Sequence, residues 1–130
     1  MKVLALDYGS ARTGVAVSDP TGTVARPLGV VERAATDDGV ARVLELAERE
    51  EVERIVVGLP LTLRGTHGEQ ATETTAFVER LRDATGLDIE TWDERFTTTL
   101  ARQSGGRAAE DAAAAAHLLS SYLEWLSART

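Results

Sequence analysis

The sequence contains no cysteine. Disulfides and thiolate metal sites are therefore excluded, and any cation must be held by oxygen or by one of the two histidines, His67 and His117. Lysine is almost absent, with Lys2 alone. The balance of 14 basic against 21 acidic residues leaves a net charge of −7, which argues against nucleic-acid binding through a broad basic face. No segment approaches the roughly 20 apolar residues that span a bilayer, and the opening run "MKVLALDYG" is too short for a secretory h-region. The expectation is a soluble cytoplasmic protein with no membrane association. At 130 residues, a single domain over 1–130 is expected.

The charge is unevenly spread. Acid concentrates in "ELAEREEVE", which reads as a solvated helix face, whereas Arg12, Arg64, Arg95, Arg102 and Arg107 lie in or beside the segments least like core. Short apolar runs at Lys2–Leu6 and Gly14–Ser18 read as strands, and "DPTGT" after the second is a turn. A third strand, "VARPLGVVE", carries Pro27, which cannot donate to a ladder and predicts an edge position. Asp37 or Asp38 then caps a helix in which Val40, Val43, Leu44 and Ala47 recur at helical spacing. "VERIVVGLP" reads as a buried strand, "EQATETTAFVERLRDATG" as a helix closed by Gly86 at C′, and "LDIETWDER" as another strand. An alanine-rich helix follows, with Ala115, Leu118, Leu119 and Tyr122 on one face. The first three strands predict a meander, and the later alternation of strands with helices predicts parallel pairing.

Two places break local rules. Asp7 ends an apolar strand, where a buried carboxylate costs several kcal/mol unless it is neutralised, paired or metal-bound. Arg12 is one partner for it, and a turn opened at Asp7 is the bland alternative. Asp93 and Glu94 end the later strand, and strand alternation sends them to opposite faces, so that one of the two can share a site with Asp7. Asp111 reads as a first-turn acid complementing the helix dipole. Gly9 and Gly14 read as turn residues needing positive φ. The loop "GLPLTLRGTHGEQ" emerges at the carboxyl end of a strand, where ligands bind in open α/β sheets, and places Arg64 for a phosphate.

Taken in order, "LALDYGSARTGVAVSD", "IVVGLPLTLRGTHGE" with "FVERL" following, "DERFTT" and "EDAAAAAHLLSSYLE" resemble the motifs of the YqgF/RuvX family, resolvase-like nucleases of the ribonuclease H-like superfamily. The resemblance covers nearly the whole chain. It implies an α/β, ribonuclease H-like fold with a five-stranded mixed sheet, three antiparallel strands then parallel ones, flanked by helices. It implies metal-dependent hydrolysis of phosphodiester bonds in nucleic acid, in maturation of the 5′ end of the small-subunit ribosomal RNA precursor. Asp7 matches the family's first-strand aspartate, Asp93 and Glu94 its second acidic motif, and Asp111 the acid of its last helix. Asp7, Glu94 and Asp111 are the implied metal ligands, with Asp93 open as the alternative to Glu94. Mg²⁺ or Mn²⁺ is the implied cofactor, as a pair roughly 3.5 to 4 Å apart that activates water and stabilises the leaving oxygen. Gly9 would let the backbone approach the scissile phosphate, Arg12, Arg64 and Arg95 would contact flanking phosphates, and Thr97 and Thr98 would donate hydroxyls. Between "DERFTT" and Asp111 the segment "TLARQSGGRAAE" is shorter and less basic than is usual in the family. A scaffold or RNA-binding protein on the same fold is the second reading, and an actin-like ATP-binding domain the third. Oligomeric state is left open.

Overall fold

A computed structural model describes residues 1–60, 68–96 and 106–129. The chain runs β1 (Val3–Asp7), β2 (Arg12–Ser18), β3 (Ala25–Glu32), α1 (Asp37–Arg49), β4 (Arg54–Leu59), α2 (Glu69–Ala84), β5 (Asp88–Asp93), a short 3₁₀ turn (Glu94–Phe96) and α3 (Gly106–Ala128). The strands form one sheet in the order β3-β2-β1-β4-β5. β1 pairs antiparallel with β2 and β2 with β3, while β1–β4 and β4–β5 are parallel. The predicted meander followed by parallel crossovers is the arrangement found. Pro27 does lie on an edge strand, next to a register shift in which Leu28 is passed over.

The two faces of the sheet differ in side-chain size, and this difference places everything else. Leu4, Leu6, Val15, Val17, Ile55 and Val57 face α1 and α2 in one buried cluster with Phe77 and Leu81. On the opposite face Ala5, Ala16 and Val56 meet Ala115, Leu118, Leu119 and Tyr122 of α3. Small residues there, facing an alanine-rich stripe, let α3 lie close to the strands. Gly14 is the extreme case, since a Cβ on it would overlap the backbone carbonyl of Asp111.

Some local expectations are corrected. Thr36, rather than Asp37 or Asp38, caps α1, its hydroxyl accepting from the Gly39 amide at 3.1 Å. α2 ends because Thr85 turns extended, φ −146° and ψ 156°, and not through a left-handed Gly86. The turn after β2 is built by Asp19, whose carboxylate accepts from the amides of Thr23 and Val24 at 2.7 and 2.9 Å and from the Thr21 hydroxyl. These bonds to the charged form hold the Asp19 carboxyl well below the usual carboxylate range. Gly22, at φ 71°, completes the turn in a conformation that glycine adopts without strain.

Candidate active site

Asp7, Gly14 and Gly58 follow the same parity as Ala5, Ala16 and Val56, so all three look toward α3. Asp7 is the register partner of Gly14, and Gly14 is where the backbone of Asp111 crosses the sheet. This is what brings a residue of the last helix beside the end of the first strand.

Glu94 arrives from the other side. β4 stands between β5 and β1, which puts those two strands roughly 10 Å apart. To meet Asp7 the Glu94 side chain must pass over β4, and it passes over Gly58. A Cβ on Gly58 would lie 2.6 Å from Glu94 Oε1 and 3.0 Å from its Cγ. The empty space above Gly58 is the seat of the Glu94 carboxyl. There Glu94 hydrogen-bonds Asp7.

The electrostatics follow from this geometry. Burial is the main reason why both carboxyls titrate above their ordinary range. Glu94 is pushed up to about 8 by burial, by its hydrogen bond to Asp7, and by the charges of Asp7 and Asp93. Asp7 is raised by burial and by the charge of Asp111, while the hydrogen bond from Glu94 works the other way. The pair shares one proton, with Glu94 donating and Asp7 accepting. Among the described residues neither one forms an ion pair with a cationic side chain.

Asp93 acts on the pair through its charge alone and does not join its hydrogen bond. Its carboxylate turns to Arg95, accepting from the amide and Nε at 3.0 Å and from Nη2 at 2.5 Å. This holds the Asp93 carboxyl below its ordinary value. Of the adjacent acids, one is brought to Asp7, and it is Glu94, the first residue after β5. The Arg95 guanidinium is accordingly engaged by Asp93 rather than presented alone.

Asp111 is placed differently from its expectation. α3 begins at Gly106, so Asp111 lies beyond the first turn, where the dipole explanation no longer applies. Arg12 pairs with Asp111, Nε to Oδ2 at 2.9 Å, and not with Asp7. Among the described residues no three acidic or histidine side chains converge into a cation cage. Two carboxyls meet, and the third is turned to an arginine.

The glycines act by size. Neither Gly9 nor Gly14 has positive φ. A Cβ on Gly9 would overlap the Arg12 carbonyl, so this glycine closes the turn between β1 and β2. That turn is held from α2 by a residue the sequence did not mark, Glu73, which accepts from Tyr8 Oη at 2.9 Å and from Ser10 Oγ at 2.7 Å. Burial and the Glu73 bond push the Tyr8 hydroxyl up to about 12. Tyr8 also stacks on Phe77, ring centroids 4.7 Å apart. Gly58 and Glu73 are the residues that motif reading missed. The signal for Gly58 was parity, since it falls on the same sheet face as Asp7. Arg64, Thr97 and Thr98, expected to touch nucleic acid, lie outside the described residues, as does His67.

The donor set fits a hard divalent cation. Two partly buried carboxyls pressed together, with no cationic side chain paired to them among the described residues, are a destabilised arrangement that positive charge would relieve, and all the donors are oxygens.

Comparison with known proteins agrees with this architecture. A protein from Symbiobacterium thermophilum named "Putative pre-16S rRNA nuclease" is 38% identical over 138 aligned positions, covering 99% of this chain and 96% of that one. A protein of the same name from Desulforamulus reducens is 36% identical, covering 95% and 97%. The solved structure of T. thermophilus RuvC in complex with a Holliday junction substrate superposes with a TM-score of 0.67 at 19% identity, over 100% of this chain and 97% of that chain, a likeness of fold. The family model RuvX, described as Holliday junction resolvase, matches residues 1–125, and the chain belongs to that family.

Proposed function

We propose that this protein is a divalent-metal-dependent nuclease that hydrolyses phosphodiester bonds, acting in the cytoplasm on the 5′ end of the small-subunit ribosomal RNA precursor. The observation that carries the reading is the hydrogen-bonded Asp7–Glu94 pair seated over Gly58, with Asp111 on the helix that crosses beside it. The names of its relatives support the substrate.

Asp7 and Glu94 would hold Mg²⁺ or Mn²⁺, with Asp111 as the further oxygen ligand. When bound, such ions supply an activated water and neutralise charge at the attacking and leaving oxygens. The chain's own contribution begins with the proton shared by Asp7 and Glu94, which must leave before both carboxylates can act as ligands. The Glu73 clamp on Tyr8 and Ser10 fixes the turn that follows Asp7, so its carboxylate is held before a substrate arrives. Arg12, at the mouth of that turn, supplies a guanidinium for a backbone phosphate. With a net charge of −7 the protein cannot rely on a broad basic face, so recognition rests on few contacts.

The test is cleavage of labelled precursor ribosomal RNA, single-stranded RNA and DNA, and a four-way junction in Mg²⁺ or Mn²⁺, comparing wild type with Asp7→Asn. Asn keeps the shape and removes the charge. A loss of roughly 100-fold or more in the folded variant, on the scale of removing one electrostatic contact to a transition state, supports the reading. Equal cleavage by both proteins, or none by wild type on any substrate, overturns it. Binding without cutting would favour the scaffold reading.

A further inference from the structure

Asp111 and Arg12 are joined in an unusual way. Arg12 Nε and Asp111 Oδ2 are 2.9 Å apart and both atoms are shielded from solvent, yet neither makes a hydrogen bond with the other or with any described residue. The contact is one of charge without alignment. A guanidinium is a rigid planar fork that bonds best to two coplanar oxygens, and a phosphate offers that geometry. The present partner leaves the capacity of the fork at Nε unused. Both side chains are 32% exposed, so a ligand can reach them. The backbone of Asp111 is meanwhile fixed over Gly14, the register partner of Asp7 at the end of β1.

We infer that Arg12 is a positioning residue that keeps Asp111 turned away from the Asp7–Glu94 pair until a nucleic-acid phosphate takes the guanidinium and releases the carboxylate. The inference rests on the reading of these carboxylates as a cation site and adds an order to its assembly. Before substrate arrives, the guanidinium offsets part of the Asp111 charge and weakens the site for cations. A phosphate that captures Arg12 returns a full negative charge to a position beside Asp7. Cation and nucleic acid therefore bind with positive coupling, and by linkage each strengthens the other equally.

The coupling is read directly by Mn²⁺ binding, from the electron paramagnetic resonance signal of free Mn²⁺, at fixed neutral pH with and without a short oligothymidylate. Protein-free solutions correct for Mn²⁺ held by the oligonucleotide. Arg12→Gln alone should bind Mn²⁺ roughly five- to tenfold more tightly than wild type, the scale of freeing one partly exposed charge at close range. Oligothymidylate should tighten Mn²⁺ binding to wild type by a similar factor and leave Arg12→Gln unchanged. The inference is overturned if Arg12→Gln binds no more tightly, or if the oligonucleotide tightens both proteins alike. Should Arg12→Gln fail to fold, wild type against Asp111→Asn decides, because Asp111→Asn must lose the oligonucleotide effect. If no protein binds Mn²⁺ at millimolar metal, the cation-site reading falls and this inference with it; if wild type binds and the coupling is missing, this inference falls alone.

Discussion

Gly58 lies directly beneath the carboxyl of Glu94, 2.6 Å from Oε1 to where a Cβ would stand. A methyl group there must displace Glu94 or Leu118, whose Cδ1 occupies the same space. Gly58→Ala is therefore expected to keep the fold at a cost of about 1 to 3 kcal/mol, as overpacking does, and to lose the Asp7–Glu94 contact. Cleavage should fall far more than the melting temperature shift explains. Retention of full activity would show that Glu94 does not need its seat over β4.

Gly14→Ala strikes backbone instead of side chain. The Asp111 carbonyl cannot rotate away without moving α3, so about 3 kcal/mol or more of stability should be lost. Urea denaturation reads the change, which should exceed that of Gly58→Ala.

Asp93 and Glu94 should separate cleanly on substitution. Glu94→Gln removes the carboxyl that must ionise to hold a cation and is expected to lower cleavage about 100-fold or more. Asp93→Asn removes the charge and the Oδ2 acceptor that Arg95 bonds and should alter cleavage by less than about tenfold, with its effect on substrate affinity. Equal losses from both would mean that Asp93 also reaches the reacting phosphate.

Stability should depend on pH through the same pair. Glu94 binds its proton more tightly when folded, up to about 8 against an ordinary 4.5, so the folded state holds more protons than the unfolded state across that window. Stability contributed by this proton is present at acidic pH and is lost as pH rises toward 8. With chelator present, wild type should lose about 1 kcal/mol between pH 6 and 8, discounted for partial exposure, and Glu94→Gln should lose less. Mn²⁺ should flatten the wild-type slope. A wild-type melting temperature that rises over this window would contradict the shared proton.

Much of this was legible in the residues, and for physical reasons. Strand periodicity is a local signal, so β1 to β5 and their mixed pairing were readable, as was the Ala115–Leu118–Leu119–Tyr122 face. Asp7 was conspicuous because a carboxylate is costly at the end of "LALD". The choice between Asp93 and Glu94 was less visible because it depends on which sheet face α3 covers. The alternation of small Ala5 with large Leu4 and Leu6 carries that information, and Asp7 shares the parity of Ala5. The true partner of Arg12 was hidden altogether, since the distance from Arg12 to Asp111 along the chain says nothing about a helix crossing at Gly14. Glu73 was hidden for the same reason, as a surface glutamate that acts by reaching back to Tyr8 and Ser10.

The placement of α3 over the first strands has a consequence for the order in which Asp7, Glu94 and Asp111 come together. Asp7 is made first, Glu94 after the parallel strands, and Asp111 only with the helix that follows all five strands. Contacts of such sequence separation form late, because loop closure must be met before they reward it. A chain still being translated on a ribosome, with α3 unmade, carries the first carboxylate and the hardware to present it, but not the third. The topology thereby keeps the three carboxylates from coming together until the helix that follows all five strands has been made.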